Sequence, residues 1–299
     1  MKTTIHIGCP KTGTTTLQRH LFRELPRTHY LGHYSRLNPK LHKLPHKPEQ
    51  AEEITSKWRE AVAKAPKDAE LLLYSQEKLT YYPASLAPQV ARAIRELVGE
   101  ARVLITIRRQ QDVSVSNYFN LAAKGYPYNF DTFMEQGLQT LDAPATMELR
   151  EQKESIWGLW LYDRLFRAWE EEFGEVHVVP LEAWKVQPRE AEAALAKALG
   201  RAPGDVELPS ARTRSRASNV PWRRALPRPV EQMIKRMPLP GWLTRSWEEE
   251  LQVELTDAQR ATLEEVYGAA NRWLAERTGW DLQALGYPGW GTLTAPRSG

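Results

Sequence analysis

Residues 3–16 read Thr3-Thr4-Ile5-His6-Ile7-Gly8-Cys9-Pro10-Lys11-Thr12-Gly13-Thr14-Thr15-Thr16. The first half alternates and is β-branched, the second is rich in Gly, Pro and Thr, so the stretch reads as a strand running into a loop. Between Thr14 and Leu25, Leu17, Leu21, Phe22 and Leu25 return at helical spacing, so the loop feeds a helix. A strand, loop and helix of this composition make an anion cradle. The amides of the turn converge, glycine lets an oxyanion come close, and the helix dipole favours negative charge.

Outward from this unit, Leu71–Tyr74 and Val103–Ile107 are short continuous apolar runs, the pattern of strands covered on both faces, and each is followed by a helical pattern. Val176–Val179 is a further strand. Trp157, Leu161, Leu165 and Trp169, four apart, predict a long helix before it, with its tryptophans in the core. Strands alternating with helices predict an α/β fold, a P-loop-like doubly wound parallel sheet flanked by helices. Arg27–Pro48, rich in Pro, His and Lys, is expected to be a loop over one end of the sheet, followed by a helix over Glu49–Lys64. After Gly200 the pattern loosens into an Arg-rich loop and C-terminal helices, with helical signals at Pro229–Arg236 and at Asp257–Arg277, the latter opened by an N-cap at Thr256. Gly291–Gly299 reads as a frayed tail. The expectation is a single domain, its core over about residues 1–200 and an extension over 201–299.

The composition, 299 residues with 41% hydrophobic residues and eleven Trp, belongs to a folded chain with a sizeable core and not to a disordered one. The opening residues lack a signal peptide's basic start and apolar run, and no stretch is apolar enough to span a membrane. The single cysteine, Cys9, rules out an internal disulfide, so a cytoplasmic location is expected. Net charge is +4 but unevenly placed: Arg212, Arg214, Arg216, Arg223, Arg224 and Arg228 share a stretch without an acid and call for an anionic partner. Nucleic acid is disfavoured, because no single-strand stacking motif, zinc spacing or recognition helix accompanies them.

Two motifs narrow the chemistry. The spacing of Gly8 and Gly13 approaches the triphosphatase loop G-x-x-x-x-G-K-[ST], but Thr14 stands at the lysine position and the lysine has moved inside the loop, to Lys11, which disfavours an ordinary ATPase. After the third apolar strand comes Arg108-Arg109-Gln110-Gln111-Asp112-Val113-Ser114-Val115-Ser116, where an arginine fork and a hydroxyl from a helix start suit a phosphate monoester. Pro10-Lys11-Thr12-Gly13-Thr14-Thr15 with Arg108, Asp112-Val113 and Ser116 resembles the sulfotransferase superfamily, in order and spacing, over roughly residues 3–185. The resemblance implies in-line transfer of a sulfuryl group from 3′-phosphoadenosine 5′-phosphosulfate (PAPS) to a hydroxyl or amine of a glycan, lipid or small alcohol, with no metal. It also implies that Lys11, Thr12, Gly13, Thr14, Thr15 and Thr16 hold the 5′-phosphosulfate, with Lys11 stabilising charge on the bridging oxygen. Arg108 and Ser116 would then hold the 3′-phosphate.

Glu77, just past the second buried strand and on the same sheet edge as both motifs, is the candidate general base and acceptor-side carboxylate. His33 is the alternative base or part of a substrate loop; His6, inside a strand, reads as a satisfied core residue. His29, His33, His42 and His46 lack the Cys or carboxylate partners of a metal site. Arg214 and Arg216 are candidates for nucleotide contact, though their segment departs from the family's ending and can equally grip an acidic glycan or lipid head group. Two other functions stay open: a P-loop small-molecule kinase, and a noncatalytic protein that binds nucleic acid or another polyanion.

Overall fold

The structure, a computed structural model, describes residues 1–80, 84–122, 129–139, 141, 157–209 and 253–291. Five strands form one sheet: β1 Lys2–Gly8, β2 Thr28–Gly32, β3 Leu71–Ser75, β4 Arg102–Ile107 and β5 Val176–Pro180. All pairings are parallel, in the order β2-β3-β1-β4-β5, so every carboxyl end lies on one edge. The helices are α1 Thr14–His20, α2 Ala51–Ala63, α3 Ala87–Val98, α4 Gln110–Ala122, α5 Phe130–Gln139, α6 Tyr162–Phe173, α7 Ala183–Val186, α8 Pro188–Leu199 and α9 Asp257–Thr278.

β3 is buried at every residue and β1 from Thr4 onward, as strands with both faces covered require. Alternation along β1 sorts its side chains between two helical layers. Thr4 donates to the Ala198 carbonyl of α8 at 3.0 Å and His6 meets Phe22 edge-on, whereas Cys9 on the other face contacts the Leu159 carbonyl ahead of α6. The chain leaves β1 toward β2 and β3, then crosses back over β1 to reach β4. In open α/β sheets ligands bind at the carboxyl edge where the winding reverses in this way, here the crevice between β1 and β4.

The doubly wound parallel sheet is the one the sequence predicts, with two local corrections. Arg27–Pro48 is not all loop, because Thr28–Gly32 pairs in register with β3 as the edge strand. The predicted helix through Trp157 starts only at Tyr162; Trp157–Trp160 is a 3-10 turn, although Trp157, Trp160 and Trp169 are all fully buried. The four-residue recurrence there reports burial, not a continuous helix. α1 likewise ends at His20, and Leu21, Phe22 and Leu25 reach the core from the turns beyond it. The start at Thr256 holds as a capping box: Thr256 Oγ1 accepts from the Gln259 amide at 3.2 Å and Gln259 Oε1 from the Thr256 amide at 2.9 Å. The signals at 229–236 lie outside the described residues. Among the described residues no helix is long and apolar enough to cross a membrane.

Candidate active site

Gly8 closes β1 opposite Thr106 of β4. A Cβ there would lie 2.0 Å from Thr14 Oγ1 and 2.9 Å from Thr106 Oγ1, so the position admits no side chain. Gly13 has φ 81°, and a Cβ on it would meet Leu181 and Trp184 at 2.8 Å. Between them Lys11 is held at φ 67°, a left-handed conformation that costs a non-glycine residue roughly 1–2 kcal/mol. Among the described residues the amides of Gly13, Thr14 and Thr15 take no backbone acceptor, while those of Thr16 and Leu17 turn back onto the Gly13 carbonyl at 2.9 and 3.1 Å. A row of donors is thereby presented at the crevice. The hydroxyls divide: Thr12 and Thr14 are buried, Thr12 Oγ1 donating to the Cys9 carbonyl at 2.7 Å, whereas Thr15 is exposed and Thr16 half-buried.

Arg108 follows the end of β4, next door in the sheet. Its guanidinium donates to the Lys11 carbonyl at 3.2 Å, which sets the second motif directly against the first. The buried Tyr162 hydroxyl fixes the Arg108 backbone, donating to its carbonyl at 2.7 Å and lying 3.4 Å from its amide. Burial pushes the Tyr162 phenol up, so it remains a donor. Arg108 has no carboxylate partner among the described residues. Arg109 behaves differently: it pairs with Asp112 at 2.6 Å and lies 3.7 Å from Glu182. Glu182, its carboxyl pushed up by burial, also accepts from the Arg109 amide at 3.1 Å and the Tyr287 hydroxyl at 2.8 Å. Gln110 and Asn271 of α9 exchange reciprocal amide hydrogen bonds of 3.0 and 3.1 Å, and Gln111 donates to the Gly286 carbonyl at 2.6 Å. Residues 271–287 therefore clasp the start of α4. Ser116 lies farther along α4, half-buried, with no side-chain hydrogen bond among the described residues.

On the other side of β1, β3 ends at Ser75, and the Gln76 amide donates to the His6 carbonyl at 3.1 Å. Glu77 opens the 3-10 turn Glu77–Thr80, half-buried and close enough to the loop that its charge, after burial, helps push the Cys9 thiol up. His33, exposed just past β2, bonds through its amide to the Ser75 carbonyl at 3.1 Å and packs edge-on to Tyr34 with ring centroids 4.3 Å apart. Lys11, Arg108, Glu77 and His33 thus share the carboxyl edge.

No protein-family model and no curated protein sequence matches the chain. Solved structures do. A sulfotransferase from Alicyclobacillus acidocaldarius superposes with a TM-score of 0.60 over 95% of this chain and 98% of that one, at 14% identity. The fold is of the sulfotransferase type. A sulfotransferase domain from the curacin biosynthetic pathway aligns with a TM-score of 0.34 over 89% of this chain and 98% of that one, at 12% identity.

Within this sulfotransferase-type fold, Arg214 and Arg216 lie outside the described residues. His6 is the satisfied core residue expected of it, bonded to Ser75 and Thr106, and His29 is buried against the Ala61 carbonyl at 2.8 Å. The sequence missed Tyr162, Glu182 and Asn271 as supports of the Arg108 side, and no local pattern marks them, because each meets its partner across the fold, while Arg109 joins a local pair with Asp112 to the distant Glu182. A cavity of about 660 Å³ beside β5, lined by Glu175, His177, Lys197 and Trp280 among others, contains none of the candidate residues.

Proposed function

We propose that this protein transfers a sulfuryl group from PAPS to a hydroxyl or amine of a glycan, lipid or small-alcohol acceptor. The observation that carries the reading is the hydrogen bond from Arg108 to the Lys11 carbonyl, which joins two anion-binding motifs 97 positions apart at the crevice between β1 and β4. A nucleotide with phosphates at both its 5′ and 3′ positions suits such a pair. The residues present fit it: Gly8 and Gly13 keep the cradle clear where a Cβ would intrude, and Arg108 has no carboxylate among the described residues to compete with a phosphate.

The donor supplies the sulfuryl group and leaves as adenosine 3′,5′-bisphosphate. The Lys11 ammonium offsets charge that builds on the departing oxygen, where a preplaced charge acts most strongly. The amides of Gly13, Thr14 and Thr15 with the Thr15 and Thr16 hydroxyls hold the 5′ end, while Arg108 and Ser116 hold the 3′-phosphate. Thr12 serves through its backbone and its inward bond. Glu77 removes the acceptor's proton, with His33 on the acceptor side of the same edge. Arg214 and Arg216 are further candidates for donor contact.

Titration calorimetry with adenosine 3′,5′-bisphosphate tests the reading: micromolar affinity is expected, much weakened in Arg108→Ala. No binding by the wild type overturns it, and Mg²⁺-dependent binding of ATP in its place would favour a small-molecule kinase. A panel of acceptors with radiolabelled PAPS then identifies the substrate. Glu77→Gln should keep bisphosphate affinity and lose turnover; normal turnover would remove Glu77 as the base.

A further inference from the structure

Beneath the β1–α1 loop lie five polar side chains to which the proposed chemistry assigns no contact with donor or acceptor: Gln18, Ser75, His6, Thr106 and Thr12, none more than 2% exposed. They touch in sequence. Gln18 Nε2 lies 2.9 Å from Ser75 Oγ, Ser75 Oγ 2.7 Å from His6 Nδ1, and His6 Nε2 3.2 Å from Thr106 Oγ1. Thr106 Oγ1 is 2.9 Å from Thr12 Oγ1, which is 2.7 Å from the Cys9 carbonyl.

Proton counting orients this chain. A carbonyl can only accept and a hydroxyl has one proton, so Thr12 spends its proton on Cys9 and must accept from Thr106. Thr106, its proton spent on Thr12, needs a donor, and that donor is His6 Nε2–H. Burial with no carboxylate beside it lowers the His6 pKa to about 3 and keeps the ring neutral, so Nδ1 is bare. Ser75 fills it with its hydroxyl proton and accepts in turn from Gln18. Every donor then points one way, from α1 through the imidazole to the carbonyl under Lys11. A neutral imidazole suits the place because it is rigid, carries a donor on one side and an acceptor on the other, and so bridges β3 and β4 across β1.

We propose that His6 is the positioning residue of the anion loop, held as its Nε2–H tautomer so that the Thr106 and Thr12 hydroxyls tether the Cys9 carbonyl and keep Lys11 in its left-handed turn. Its part in donor binding rests on the sulfuryl-transfer reading, whereas the tautomer does not. Long-range ¹H–¹⁵N spectra of the full chain, with His6 assigned by its absence in His6→Asn, should show the Nε2–H tautomer from about pH 5 to about pH 8. An Nδ1–H ring or an imidazolium in that range overturns the proposal. Thr106→Val, close to isosteric, should weaken adenosine 3′,5′-bisphosphate binding about tenfold, with Thr106→Ser restoring it to within about twofold. Undiminished binding by Thr106→Val, or failure of Thr106→Ser to rescue, also overturns it; melting curves verify that each variant folds, and the tautomer decides should Thr106→Val not fold. If the wild type binds no bisphosphate, the sulfuryl-transfer reading falls and the tautomer alone decides the relay.

Discussion

Under the loop after β1 the supports are hydroxyls, an amide and a neutral imidazole, none more than 2% exposed; beside Arg108 the buried Tyr162, Gln110 and Asn271 are joined by ions, with Arg109 and Asp112 at 32% and 31% exposure. Depth explains the difference. Taking an ion out of water costs several kcal/mol, so the deep side is built from dipoles, while the shallower Arg109–Asp112 pair tolerates charge because water screens it. The consequence for an anion differs as well. The neutral network stiffens the loop without setting a counter-charge beneath it, and on the β4 side the carboxylates of Asp112 and Glu182 are taken up by Arg109, which leaves them less able to repel a phosphate at Arg108.

The largest test of this contrast is Lys11→Ala, expected to cut turnover by roughly 10²–10³. Lys11→Gly should lose as much activity yet gain about 1 kcal/mol of stability by relieving the left-handed strain, a divergence that parallel melting curves and assays would reveal. A second test uses acid. Burial depresses the His6 pKa from 6.5 to about 3, so unfolding takes up a proton in that window. The stability due to the neutral ring is complete above pH 6.5 and declines as pH falls toward 3, with a slope approaching ~1.4 kcal/mol per pH unit. Denaturant titrations at several pH values should show this slope and its loss in His6→Asn; an equal slope in both breaks the comparison. Arg108→Ala should weaken bisphosphate binding by about 30-fold with little change in melting temperature, since charge-assisted bonds to a ligand are lost. The smallest effect is expected on the ionic side: Arg109→Ala, which leaves Glu182 short of a partner, should destabilise by about 1 kcal/mol, discounted for its partial exposure.

Much of the frame was legible because burial on both faces writes itself as unbroken apolar runs in β3 and β4, and β1 showed as an alternating, β-branched stretch before a Gly- and Thr-rich turn. Thr256 likewise announced α9, since an N-cap is local chemistry, and the structure adds its Gln259 partner. The carboxyl-edge rule places Lys11, Glu77 and Arg108 together from the strand order alone. β2 escaped because five residues at a sheet edge, flanked by Arg, Pro and His, carry too short a pattern to stand out. The tryptophans misled about helix length because the same four-residue recurrence satisfies a buried 3-10 turn leading into a helix. His6 was readable as core, but its partners Ser75 and Thr106 lie 69 and 100 positions away, and a hydrogen bond over such separations has no sequence signature.

The clasp between Gln110 and Asn271 spans 161 positions. Translation delivers α9 long after β4 and α4 have emerged, so in a nascent chain Gln110 can reach the Trp160 carbonyl while its side-chain oxygen still waits for the Asn271 amide. Completion of the Arg108 side is therefore a late event of biogenesis, and a chain truncated before Thr256 would pass through the cell with that polar seam open to chaperones and proteases.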